Sequence, residues 1–328
     1  MNQFGTLFQI SIFGESHGPA VGVTIGSCLA GIPLSEEDFA ADLNRRKAGK
    51  KGTTPRSEDD IPRIISGVFE GKTSGSPITI LFENNNTRSK DYNHLKAMPR
   101  PGHADFTASK KYNGHNDFRG GGHFSGRITV GLVAAGVIAK KVLKGVQFES
   151  EVVEVGGDKN IDRAVTKALE NGDSIGGLIE CKVSNLPIGL GEPYFDKTEA
   201  VLAHILFSIP AIKALEIGSG FEAAKMSGSE NNDAILNEKG ETETNHAGGI
   251  NGGITNGNPL YFKVAVKPPS SIAKKQKSFN LDEKKVKELS VKGRHDACIA
   301  LRLPVIVEAA AAIALADLFL INKGLKAL

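Results

Sequence analysis

RITVGLVAAGVIAKKVLKGVQFESEVVEV, residues 127–155, carries two kinds of regular structure back to back. Residues 127–143 are mostly apolar with good helix formers, and they read as a core helix. From 146 to 155 apolar and polar residues alternate, the period of a half-buried strand. The same mixture continues outward. Alternation recurs at residues 21–25, 77–82, 175–183 and 260–266. Ser35 followed by Asp38 forms an N-cap arrangement that opens a helix through Leu43. Asp196 with Glu199 caps a helix running to about Ser208, stopped by Pro210. Residues 281–289 read as a short charged helix. Pro304 stands as the first residue of a last helix ending near Gly324. Strands and helices come mixed, not in strict βαβ alternation, which predicts an α+β fold with layered sheets and helices. No linker or repeat divides the chain, so residues 1–328 are read as one domain.

Composition narrows the function. The chain has 38 glycines in 328 residues, well above the average of about 7%. Many backbone positions therefore need positive φ or close approach. Net charge is +3, too mild to predict nucleic-acid binding by itself. Cys28, Cys181 and Cys298 lie far apart without a CxxC pair, so neither zinc nor a disulfide framework is indicated, and a cytoplasmic location fits. The first residues have no basic n-region or apolar h-region, so no signal peptide is expected. The most apolar stretch, residues 305–321, is interrupted by Glu308 and Asp317 and reads as a buried helix rather than a membrane span.

Two glycine motifs lose on inspection. Gly67 to Thr73 has three residues between its glycines where a phosphate loop needs four, and Pro77 follows closely; it reads as a turn between strands. Gly218 to Ala223 mimics a dinucleotide fingerprint but follows no clear strand, and also reads as a turn.

Other segments are rich in Gly, His and Arg and poor in core residues. Residues 44–56 carry Arg45, Arg46, Lys47, Lys50, Lys51 and Arg56 without an acid, which suits a small polyanion or, equally, a solvated basic helix end. No aromatic residue interleaves the cluster for base stacking. His17 and His103 each sit in a glycine-bounded loop, where a histidine can meet a ligand and change charge near neutral pH. A third such group is Arg294-His295-Asp296 after Gly293. Gly120 to Arg127 runs into the helix, so its amides can face an anion. Residues 246–258, with Lys267, Pro268, Pro269, Ser270 and Ser271, bracket the strand at 260–266 and suggest a planar phosphorylated cofactor.

In this order the segments resemble the chorismate synthase family. The resemblance rests on FGESHGPAVG, the Arg45–Arg46 pair, SGVFEGKTSGSPI, RPGHADFT, FRGGGHFSGR, GEPYFD, NHAGGINGG, KPPSSI and GRHDACIALR, and it spans the chain to about Leu320. It implies a β-α-β sandwich and a carbon–oxygen lyase of the shikimate pathway, the route to the aromatic amino acids. The implied reaction is a 1,4-anti elimination of phosphate from 5-enolpyruvylshikimate 3-phosphate to give chorismate. It requires reduced FMN (FMNH2) without net redox change. The resemblance further implies a homotetramer, with no nucleic-acid or membrane partner. No NADPH module is visible, so NADPH is expected only as an indirect reductant, through a separate flavin reductase.

Carried over by position, His17 matches the acid assisting phosphate departure. His103 matches the histidine that protonates the flavin, and Asp296 the aspartate beside flavin N5. Arg46, Arg100 and Arg127 match substrate-binding arginines. His123, Phe124, Ser125, Pro210, Ala211, Gly252, residues 267–271 and Arg294 match FMN contacts. His123 stands where many members carry Arg, and Lys51 or Gly52 where a further arginine is expected; Lys51 is taken as the substitute substrate contact. The chain is also short for the family, with loops and the C-terminal tail trimmed. Two other classes remain open: an anion- or RNA-binding protein using residues 44–56, and a flavoprotein oxidoreductase with net electron transfer.

Overall fold

The computed structural model describes residues 2–55, 58–86, 92, 95–291, 293 and 295–325. The strands that build the first sheet are β1 (Gln3–Phe4), β2 (Ile10–Gly14), β3 (Ala20–Ile25), β4 (Arg63–Ser66) and, after the small hairpin of β5 (Val68–Phe69) and β6 (Lys72–Thr73), β7 (Ile78–Glu83). They run in the order β1-β2-β3-β7-β4, every pair antiparallel. The second sheet holds β8 (Gln147–Val155), β9 (Gly177–Ser184), β10 (Ile212–Ile217) and, past the short β11 (Ile250–Asn251) and β12 (Ile254–Thr255), β13 (Leu260–Val266). Its order is β10-β13-β9-β8, again antiparallel throughout.

Helices accompany the sheets, and two of them fill the space between. In chain order the helices are α1 (Ala40–Arg46), α2 (Asp105–Lys111), α3 (Thr129–Val142), α4 (Ile161–Glu170), α5 (Thr198–Leu206), α6 (Gly228–Asn231) and α7 (Pro304–Leu325). Helix α3 packs on β3 of the first sheet, α7 on β8 and β9 of the second, and the two helices pack on each other. That is a β-α-β sandwich, as the resemblance implies, and an α+β fold. One cluster of buried apolar residues runs from Phe8 and Val23 through α3 and α7 to Val183 and Val264.

Helix α7 is apolar enough by length and composition to cross a membrane, yet it is the core helix, buried from Val305 to Leu318. Its two carboxylates have partners. Asp317 accepts from the backbone amides of Thr6, Leu7 and Phe8 at 2.6–3.0 Å, which pins the N-terminal segment. Glu308 takes Arg45 bidentately (2.6 and 2.7 Å), together with Lys140 and Ser150. Burial pushes the Glu308 carboxyl up, but these donors hold it below the usual carboxylate range.

Several sequence readings hold in place. Ser35 N donates to Asp38 Oδ2 at 2.8 Å, ahead of a 3-10 turn (Glu36–Phe39) that leads into α1. Residues 68–73 form a tight hairpin, with Glu70 and Gly71 at positive φ.

Others are corrected. Residues 281–289 are not a helix: β14 (Gln276–Asn280) and β15 (Lys285–Leu289) pair as a hairpin turning at Lys284, φ +53°. The Glu283–Lys287 pair that suggests helical i,i+4 spacing forms across this turn instead. Burial of Leu289 against Leu95 and Val291 decides for the strand. Helix α5 starts at Thr198, and Asp196 does not cap it. There Thr198 N bonds Gly253 O and its hydroxyl bonds Leu190 O, so tertiary partners replace a local cap. Gly218 to Ala223 does follow a strand, β10, but runs into a 3-10 turn beside an antiparallel sheet, so no dinucleotide fold forms there.

Candidate active site

Loops gathered near the N-terminal ends of α3 and α7 enclose a cavity of about 780 Å³. Seven cationic side chains line it among the described residues (Arg46, Lys47, Arg100, Arg127, Lys213, Lys267 and Arg302) against three carboxylates, Glu58, Asp60 and Asp296. The lining also has an apolar part with Ile205, Ile209, Ile299, Leu303 and Ile306. Such a volume is at the upper end of small-molecule sites, roughly 300–1,000 Å³.

The glycine run at 119–124 is a 3-10 segment in which Gly120, Gly121 and Gly122 take positive φ, which side chains resist. A Cβ on Gly120 would stand 2.5 Å from the His17 ring, and one on Gly122 2.0 Å from Asp117 O. The loop is thus moulded to its neighbours. Ser16 N bonds Gly122 O at 3.1 Å, and His123 Nδ1 lies 2.7 Å from Gly14 O. His17 is buried behind this loop, edge-on to Tyr92 with 5.1 Å between ring centres. It does not line the cavity itself; Gly120 and Tyr92, which touch it, do.

Arg46 leaves the end of α1 fully buried. Its guanidinium pairs with Asp60 at 2.9 Å and donates to Thr129 Oγ1 and to the carbonyls of Gly126 and Arg127. Burial, resisted by Asp60 and aided by Arg302 and Arg127, pulls the Arg46 pKa down to about 10. Arg127 pairs with the other oxygen of Asp60 and with Asn84 Oδ1 at 2.9 Å. One buried carboxylate therefore serves two guanidinium groups. Asp296 accepts from Thr54 N at 2.9 Å and faces Arg302 at 3.4 Å. Lys267 Nζ reaches Gly102 O and Ser270 Oγ, both at 3.0 Å; burial and the nearby Lys213 lower its pKa. Arg100 grips Asp105 with two bonds of 2.8 Å and Ser271 Oγ with a third. Burial pushes Asp105 up, but Arg100 and His103 outweigh it and hold the carboxyl well below the usual range.

The cavity brings together Arg46, Arg100, His103, His123, Phe124, Ser125, Arg127, Pro210, Ala211, Lys267, Pro269, Ser270, Ser271 and Asp296. It does not bring Lys51, whose Nζ bonds Thr166 Oγ1 on α4 at 2.6 Å because Gly52 is wedged against Val165 and Leu301. Gly252 sits in the turn between β11 and β12, and Pro268 likewise does not line the cavity. Arg294 and Arg56 lie outside the described residues. The basic run at 44–56 is also divided: Arg45 turns to Glu308, Arg46 to the cavity and Lys51 to α4. Among the described residues its arginines and Lys51 therefore turn to three different partners. Sequence reasoning missed Asp60, Lys213 and Arg302. The acidic run at 58–60, close after a basic one, is a signal that could have found Asp60.

The chorismate synthase family model matches residues 8–320. Chorismate synthase of Chitinophaga pinensis is 60% identical over 324 residues, covering 98% of each chain. That of Methanocaldococcus jannaschii is 42% identical over 365 aligned positions, 98% of this chain and 96% of the relative. A crystal structure of chorismate synthase superposes with a TM-score of 0.75 at 28% identity, covering 96% of this chain and 92% of that one.

Proposed function

This chain belongs to the chorismate synthase family, and we propose that it eliminates phosphate from 5-enolpyruvylshikimate 3-phosphate in a 1,4-anti sense, giving chorismate, with reduced FMN as cofactor. The observation that carries this reading is the cationic cavity itself. It combines seven positive side chains with an apolar part, with His103 and Asp296 on its surface and His17 directly behind. A substrate with two carboxylates and a phosphate requires such a surplus.

The residues present also fit the cofactor. The apolar part with Ile205, Ile209 and Leu303 suits a flat ring, and Lys267 with Ser270 and Ser271 suits a phosphate. Ala211 beside Pro210 holds φ at +77°, a strained conformation of the kind that accumulates at ligand clamps. His123, Phe124, Ser125, Pro269 and Arg294 complete the set proposed to hold FMN, while Gly252 and Pro268 support it from outside the lining. When bound, the reduced flavin supplies the electron-rich partner that a weakly acidic C6 hydrogen demands.

The protein's own part is binding and proton management. Arg46, Arg100 and Arg127 neutralise substrate anions. His17, behind the glycine loop and against Gly120, is assigned the acid's part in phosphate departure, and His103 holds a proton for the flavin. Asp296, presented by Thr54 N and Arg302, assists removal of the C6 proton. The reading extends to a homotetramer, supported by exposed Tyr194, Phe195, Phe221 and Ile235. The reading further assigns the supply of reduced flavin to a separate reductase that consumes NADPH. A cytoplasmic location agrees with three buried thiols.

The test is anaerobic phosphate release from 5-enolpyruvylshikimate 3-phosphate with photoreduced FMN. Chorismate and phosphate should appear in equal amounts, with far less reductant consumed than product made. Reductant consumed one-for-one with product would replace the lyase with an oxidoreductase.

A further inference from the structure

We propose that Asp105 is the positioning residue of His103: its carboxylate holds the imidazole with the proton on Nδ1, so that Nε2 presents its lone pair. The inference rests on His103 acting as the acid–base group of the proposed reaction, but its first test does not.

His103 Nδ1 lies 2.6 Å from Asp105 Oδ1. A carboxylate only accepts, so the proton of a neutral ring must sit on Nδ1. The carboxylate cannot turn away, because every side of it is held. Oδ2 receives Arg100 Nε at 2.8 Å and Arg100 N at 3.0 Å, and Oδ1 receives Arg100 Nη2 at 2.8 Å. The chain makes this local. His103 N bonds Arg100 O at 3.2 Å, and Gly102 turns at φ +69°, which sets residues 100, 103 and 105 facing one another.

The other edge of the ring meets the glycine loop. Gly121, at φ +83°, lies against this edge, where a Cβ would make ordinary contact at 3.5 Å with Cε1 and Nε2, and His103 lines the cavity. Arg100 Nη2 lies 3.1 Å from Nε2 and nearly as close to Nδ1, which puts it over the ring face and leaves the in-plane lone pair of Nε2 to the cavity. It also stands 3.0 Å from Nδ1, but two donors cannot bond, so the Nδ1 proton goes to Asp105. His103 therefore has an anion on one nitrogen and a cation over its face. Lys267, bonded to Gly102 O, is the further charge brought by a neighbouring element, and the glycine loop meets the ring with Gly121 alone. Removing the carboxylate leaves the cation unopposed.

The experiment uses full-length, flavin-free protein labelled with 15N-histidine, with His103 assigned by its loss in H103Q. Two-bond 1H–15N spectra then report tautomer and pKa. The wild type should show the Nδ1–H tautomer above its pKa. In D105N the His103 pKa should fall by about one unit or more, the range for losing an opposite charge at contact, and D105E should restore part of the shift. An Nε2–H tautomer in the wild type overturns the proposal, and needs no variant to fold. An unmoved His103 pKa in D105N, accompanied by a raised KM, also overturns it, because Asp105 would then serve Arg100 alone. In turnover with photoreduced FMN, activity that needs protonated His103 is lost as pH rises through its pKa. That limb should move acidward in D105N by the shift seen in the spectra. A wild type that fails to turn over defeats the proposed reaction and leaves the tautomer result standing.

Discussion

At the scale of single residues the site is a set of shared carboxylates, and their removal should have different signatures. Asp60 is buried between Arg46 and Arg127. Asp60→Asn strips one charge from two buried guanidinium groups, and breaking such a pair costs about 3–5 kcal/mol. Chemical denaturation should show that loss. A variant within 1 kcal/mol of the wild type would mean that water, not Asp60, balances the arginines. Asp296 is different. Its partners are one backbone amide and a loose 3.4 Å contact with Arg302, so Asp296→Ala should leave the melting temperature nearly unchanged. If it handles the C6 proton, turnover should fall about 10²- to 10⁴-fold, the usual share of a general acid or base. Steady-state assays with reduced FMN check this, and an unchanged rate removes the assignment.

Elements are held at two close approaches and two buried carboxylates, and these decide which sequence signals were legible. Gly136 on α3 meets α7 where a Cβ would stand 2.4 Å from Ala309 Cβ. Alanine is worth about 1 kcal/mol over glycine in a helix interior, but overpacking costs about 1–3 kcal/mol. The clash should win, so Gly136→Ala should lower the melting temperature despite better propensity. Glu308 has the opposite logic. Its folded pKa is depressed, so the native state binds fewer protons than the unfolded chain as pH passes through about 4. Its contribution is present above that value and is lost as pH falls through the folded pKa. Stability against pH should therefore lose part of its acid slope in Glu308→Gln. Helices α3 and α7 and strands β3, β7, β8, β9 and β13 were legible because burial on one face or all faces writes a period into the sequence. The hairpin of β14 and β15 was not, because a Glu–Lys spacing of four suits a turn as well as a helix. The capping of α5 was hidden for another reason: Thr198 is satisfied by Gly253 and Leu190, and neither is a local signal. In the site, His103, Arg127 and Lys267, singled out by residue type, line the cavity, while Lys51 turns to α4 beside the wedge at Gly52, a tertiary fact.

For the whole molecule the question is whether residues 1–328 act as one unit. Two sheets of five and four strands could each anchor a domain, and the chain is long enough for two. Their covering layer argues otherwise. Helix α3 covers the first sheet at β3 and α7 covers the second at β8 and β9, and each buries its other face against its fellow helix. Both are buried nearly all round, so separating the sheets would expose one face of each. The ends are tied as well, since Asp317 near the C-terminus holds the amides of Thr6 to Phe8. The cavity adds a further link, drawing its lining from loops of both sheets. We therefore expect a single calorimetric transition, with the fluorescence of a probe on a cysteine introduced at exposed Ile65 of the first sheet and one introduced at exposed Lys182 of the second changing at the same temperature. Two separated transitions would show that the helix layer divides between two domains. Destabilisation at the α3–α7 contact by Gly136→Ala should move both probes together, because that contact is the joint through which the sheets share their core.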